Sequence, residues 1–186
     1  MLFYALALVA VVLAARSTPS GKWVAAVLAL FWAWMGLVYH IGFFTTINKA
    51  AYGFGALFAV QSVLFLYTGV FRPDLSFRFE RNLRGIAGAV LMVYALVAYP
   101  LLGHALGHSY PHAPTFGLPC PTTIFTFGLL LWAADKLPWW LLIIPALWAL
   151  IGTMAALKLG IIEDLGLPVA AFISGVLLLR RKAMVA

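Results

Sequence analysis

The chain alternates long apolar stretches with short polar or basic punctuation. Charged residues fall at positions 16, 22, 49, 72, 74, 78, 80, 81, 84, 135, 136, 158, 163, 164 and 180–182. A helix needs about 20 apolar residues to cross the hydrocarbon of a bilayer. Residues 2–15 give a short first span, 23–44 a full second one and 51–71 a third. Residues 85–134 carry no charge, which is too long for one crossing. Prolines, glycines and histidines gather at 104–121, and these turn and breaker residues divide the run into spans at 85–103 and 122–134. Spans at 139–157 and 167–179 complete the set. The pattern predicts an all-α fold: one polytopic membrane domain over residues 1–186, a bundle of seven transmembrane helices.

Composition narrows the class further. Hydrophobic residues make up 65% of the 186 and charged residues only 9%, with a mean hydropathy of +1.05. A soluble domain carries roughly a quarter of its residues as charges, so a soluble enzyme and a disordered tail are excluded. The net charge of +7 does not point to nucleic acid, because the basic residues punctuate apolar runs as they do in membrane proteins. The partner this composition implies is the lipid bilayer. Cys120 is the one cysteine, so no intramolecular disulfide can form.

The basic residues also predict an orientation. With seven spans, alternate loops share a side. Of the 12 Lys and Arg residues, only Lys49 and Lys158 fall outside when the C-terminus is placed in the cytoplasm. Arg16, Lys22, Arg72, Arg78, Arg81, Arg84, Lys136, Arg180, Arg181 and Lys182 then lie inside. That bias predicts the N-terminus out and the C-terminus in. The first apolar run has no basic residue before it and ends in Ser17-Thr18-Pro19-Ser20 rather than a small-residue cleavage site. It therefore reads as an anchor helix rather than a signal peptide. Gly85 with Ala89, and Gly152 with Ala156, are small residues four apart that let helices approach. Pro100 and Pro145 are expected to kink their spans.

Three stretches carry a family likeness: Phe-Phe-Thr-Thr-Ile-Asn-Lys-Ala-Ala from Phe43, Pro-Cys-Pro-Thr-Thr-Ile-Phe-Thr-Phe-Gly from Pro119, and Glu-Asp-Leu-Gly-Leu from Glu163. Together they resemble an uncharacterised family of bacterial integral membrane proteins, known only as a domain of unknown function. The resemblance covers nearly the whole chain and implies a bacterial inner-membrane setting. It implies no activity.

In the predicted topology the reactive side chains gather on the outer face. His104, His108 and His112 lie in the loop between the fourth and fifth spans, and Cys120 closes that loop. His40 lies within the second span about one turn, roughly 6 Å, below its outer end. An ionisable group in a span is a candidate for function. Asn48 and Lys49 follow in the next outer loop, and Glu163 and Asp164 occupy the last one. His104 and His108, four apart, can share a helix face and bind one metal ion. Pro121 suits a first helical position with Cys120 as its N-cap. Glu163 and Asp164 are candidate metal ligands or general acids and bases, with Asn48 and Lys49 as polar neighbours.

Three functions follow. The first is an outward-facing site of imidazole, thiolate and carboxylate, suited to zinc or copper, and hydrolytic if a metal-bound water has room. The second is a non-catalytic subunit docking a membrane protein partner. The third is a transporter of a small solute or metal ion. The inner halves of the spans offer a transporter only Gln61, Ser62, Thr68, Thr126, Thr153 and Ser174 as polar steps.

Overall fold

The computed structural model describes residues 1–16, 21–72, 74–108, 113, 115–134 and 137–184. Among them, seven helices follow one another: α1 (Leu2–Ala15), α2 (Gly21–Thr46), α3 (Ala51–Phe71), α4 (Leu83–Ala105), α5 (Pro119–Leu131), α6 (Trp139–Lys158) and α7 (Ile162–Leu179). No β-strand occurs among the described residues, where β pairing is confined to single bridges, Phe77 with Ala133 and Phe116 with Leu118. Helices α2, α3, α4, α6 and α7 are long and apolar enough to cross a membrane, whereas α1 and α5 are shorter.

Helix α5 departs most from the expected span, and it forms the centre of the bundle. It starts at Pro119 with Leu118 as N-cap, so Cys120 is the second helical residue and not the cap. Both Pro119 and Pro121 then fall in the first turn, where no backbone N–H is required of them. Thr122 turns back to accept from the Gly117 N–H at 3.1 Å. The helix stops at Leu131 because residues 132–134 pair with the incoming loop instead. Arg78 N donates to Trp132 O at 2.8 Å and Ala134 N to Ser76 O at 2.9 Å. Pro119 and Pro121–Leu131 are all buried, which marks a helix with no outer face.

Small residues and short polar bonds hold the neighbours in place. At the α4–α5 crossing, a Cβ on Gly88 would stand 2.6 Å from the carbonyl oxygen of Gly128. At the α2–α3 crossing, one on Gly36 would stand 2.8 Å from that of Gly55. Gly152 does serve helix approach, facing Leu167 of α7. Gly85 instead makes room for the backbone of Glu80 in its own approach loop. Trp32 Nε1 donates to Thr126 Oγ1 at 3.2 Å, Ser62 Oγ to Ala29 O at 2.7 Å, and Gln61 Nε2 to Leu141 O at 3.1 Å. Thr68, Thr126 and Thr153 each donate to the carbonyl four residues before them.

Three helices contain wide π turns, at Trp34–Phe43 in α2, Tyr67–Phe71 in α3 and Tyr94–Ala98 in α4. The last immediately precedes Tyr99 and Pro100, and Pro100 has no N–H to offer the carbonyl of Leu96. Pro145 lies just past the junction of the 3-10 turn Trp139–Leu142 and the regular helix Ile143–Leu159. It falls in that helix's first turn and not at a mid-helix kink.

The helices alternate in direction, so their ends form two groups. Gly21 packs against the backbone of Leu75, and residues 76–78 pair with 132–134, which gathers Arg16 at the end of α1, Lys22 and residues 74–82 at one end. The other end joins residues 103–108 to the start of α5 and the turn before α7. The acids lie there.

Candidate functional site

Gly160, in the left-handed conformation at φ 72°, closes α6, a position where glycine avoids the Cβ penalty. The chain then makes a 3-10 turn, Ile162–Leu165, which carries Glu163 and Asp164 into the bundle. Both are buried, Glu163 to 1% and Asp164 to 6% exposure. Two adjacent carboxylates taken out of water need donors or a compensating charge.

The fold supplies the donors from α4, from the residues just past its end and from the first turn of α5. Glu163 Oε1 shares a hydrogen bond with His108 Nδ1 at 2.7 Å, and His108 itself is 31% exposed. Tyr99 OH donates to Asp164 Oδ1 at 2.5 Å. The Cys120 thiol lies beside the Asp164 carboxylate. Tyr94 OH donates to the backbone carbonyl of Glu163 at 2.7 Å, and its ring packs directly on Gly166. Glu163 Oε2 is buried without a hydrogen-bond partner among the described residues.

The π turn in α4 explains why both tyrosines reach this turn. Bonding from i to i+5 widens the helix, and residues five apart come to lie over one another. Tyr94 and Tyr99 accordingly meet edge to face, with ring centroids 6.4 Å apart. The same spacing in α2 stacks Tyr39 on Phe44 at 5.8 Å.

The histidines part company. His40 is fully buried, and its rings of contact are all aromatic: Tyr39, Phe44, Phe54, Phe58 and Trp148 at 4.8–6.0 Å. Neither of its ring nitrogens has a hydrogen-bond partner among the described residues. It joins the acids only indirectly, because Trp148 Nε1 and Cys120 Sγ flank Gly152 at 3.5 and 3.6 Å from its Cβ position. His104 is exposed on the last turn of α4. His112 lies outside the described residues. Asn48 Oδ1 accepts from Ala50 N at 3.0 Å in the turn entering α3, and Lys49 is exposed beside it.

Of the candidates, the structure therefore unites His108, Cys120, Glu163 and Asp164, and leaves His40, His104, Asn48 and Lys49 apart. Among the described residues, no three His, Cys, Asp or Glu side chains are placed to hold one metal ion. Tyr94, Tyr99 and Gly103 belong to the site and carry no sequence motif. The one available signal was a pair of tyrosine hydroxyls in an apolar helix, where each needs a partner.

The fold and site define an all-helical bundle with a carboxylate pair sealed under histidine, tyrosine and cysteine at one end. The chain belongs to the family of unknown function DUF6064, whose model matches residues 1–186. No curated protein and no solved structure matches the chain.

Proposed function

We propose that this chain is an integral protein of the bacterial inner membrane, N-terminus out and C-terminus in, with a cation- and proton-exchanging acid site at its outer end. The observation that carries the reading is the bond between buried Glu163 and half-buried His108. Charge held inside a span is retained for function more often than for stability. Two neighbouring carboxylates in a dry site call for a positive partner, and imidazolium, a proton or a metal cation can each provide one. His108 is the group through which that charge exchanges with the outer solution. Grouping of the basic loops at the opposite end supports the proposed orientation.

A zinc or copper ion is the second reading. The unpartnered Glu163 Oε2 favours it, and imidazole, carboxylate and thiolate are donors that zinc takes. Its ligands would be His108, Glu163, Asp164 and Cys120, after a local turn of the side chains.

Two measurements test these readings. Reporter fusions at His104 and Arg78 should report opposite sides, with His104 outside, and the reverse pattern would overturn the orientation. Infrared difference spectra of purified protein, taken between pH 5 and 9, should show a carboxyl band that Glu163→Gln or Asp164→Asn removes. If neither substitution changes the spectrum, the exchanging site is wrong. Elemental analysis of the same samples separates the metal reading: a stoichiometric metal lost in Glu163→Gln supports it, and a metal-free wild type with an intact carboxyl band supports the proton alone.

A further inference from the structure

Away from the acids, α1 and α2 enclose a shallow groove of about 460 Å³ lined by Val9, Leu13, Trp23, Ala26, Val27 and Leu30. Every lining residue is apolar, and Val9, Trp23 and Leu30 are about half exposed along its rim. From Trp23 to Leu30 the groove extends about 10 Å along α2 at 1.5 Å per residue. Its Trp23 end opens at the basic end of the bundle. Arg16 closes α1 there and Lys22 precedes Trp23, both exposed. The Lys22 ammonium lies over the Trp23 ring, 5.3 Å from its centroid.

We infer that this groove seats an acyl chain of an anionic glycerophospholipid, with Lys22 and Arg16 holding the phosphate. The inference rests on the proposed membrane insertion. The occupant follows from the two ends of the groove. An apolar trough beside the hydrocarbon accepts a chain of methylenes and offers no polar group to orient anything else. Its mouth offers positive charge free for a ligand: neither Arg16 nor Lys22 makes an ion pair among the described residues, whereas Arg78 and Arg84 both bind Glu80. An indole at the interface with a lysine reaching past it is how membrane proteins meet headgroups. Each basic residue near an anionic surface is worth about 1 kcal/mol, or about five-fold in affinity.

The test uses the full chain in mild detergent, titrated with phosphatidylglycerol, with phosphatidylcholine of the same acyl chains, and with inorganic phosphate. Native mass spectrometry counts retained lipid, and thermal unfolding reads stabilisation. Phosphatidylglycerol should be retained at about one per chain and raise the melting temperature, at least five-fold more tightly than phosphatidylcholine. Phosphate alone should do nothing. Lys22→Gln should weaken phosphatidylglycerol about five-fold, and Ala26→Trp, which fills the trough, should abolish retention of both lipids. Arg72→Gln is the control, since Arg72 also caps an aromatic ring, Tyr67 at 5.1 Å, but belongs to the end of α3 and to neither helix of the groove; it should retain lipid like the wild type. Equal retention of the two lipids, undiminished retention in Ala26→Trp, or equal losses in Lys22→Gln and Arg72→Gln would overturn the site. Extraction of the protein from membranes by alkaline carbonate would overturn insertion itself. A carbonate-resistant protein without lipid preference would reject the groove alone.

Discussion

Gly103 lies directly against Glu163: a Cβ at position 103 would stand 3.0 Å from Oε1 and 3.8 Å from the Cβ of His108. The bond between His108 and Glu163 passes over a residue with no side chain. Replacing a helical glycine by alanine would by itself favour the helix by about 1 kcal/mol. Overpacking of a close contact costs about 1–3 kcal/mol. Gly103→Ala is therefore expected to lower stability by up to about 2 kcal/mol and to loosen His108. Faster modification of His108 by diethylpyrocarbonate, with a lower melting temperature, checks it. An alanine variant as stable and as protected as wild type would show that the acid shifts freely.

The two tyrosines should differ in weight. Tyr99 donates to a buried carboxylate and Tyr94 to a backbone carbonyl. Hydrogen bonds to charged groups contribute about 1.5–3 kcal/mol and neutral ones about 0.5–1.5. Tyr99→Phe should accordingly destabilise more than Tyr94→Phe in denaturant or thermal unfolding. Equal costs would mean that Asp164 finds another donor, or bears a proton of its own.

His40 gives the opposite expectation. Its nitrogens bond to no described residue and its surroundings are aromatic. Exchanging an unsatisfied polar group for an apolar one of similar shape is close to neutral or stabilising. His40→Phe should hold or raise the melting temperature and leave the carboxyl infrared band intact. Loss of that band would tie His40 to the acids through Trp148.

At the basic end, partial burial of Glu80 works against its ionisation, but hydrogen bonds from Arg78 and Asn82 and the charges of Arg84 and Arg78 outweigh it. Its carboxyl is held below the usual range. A carboxyl depressed in the folded state stabilises above its unfolded value, and that contribution fades as pH falls through the folded one. Glu80→Gln should cost at most about 1 kcal/mol at neutral pH, as exposed ion pairs do. Wild type and variant should converge as pH falls below the usual carboxylate range, by thermal unfolding at each pH.

Charge gaps and breaker residues predicted the helices because both follow from the cost of placing polar groups in apolar surroundings. The same reasoning placed Glu163, Asp164, His108 and Cys120 at one end. It failed where side-chain direction mattered. Tyr94 and Tyr99 share a face only through a π turn, which a 3.6-residue period cannot reveal. His40 and His108 look alike in sequence, yet one meets five aromatic rings and the other a carboxylate. Cys120 shifted from cap to second helical residue because Pro119 could itself begin the helix. The expected 122–134 span ran three residues too far, since only the pairing of Ala134 with Ser76 shows that the chain has left the helix.

Helix α5 has a consequence for assembly order. A segment of 13 residues, about 20 Å long, is shorter than the roughly 30 Å of hydrocarbon it would have to cross alone. Its walls are α4, α6 and α7, with α2 reaching it through Trp32 and Phe31, and α7 follows it in the chain by about thirty residues. During synthesis α5 must wait, incompletely housed, until α7 arrives to complete its enclosure. The same arrival delivers Glu163 and Asp164 to Tyr99, Cys120 and His108. Closing the core and building the acid site are thus a single late event, and a chain cut short before residue 162 would lose both together.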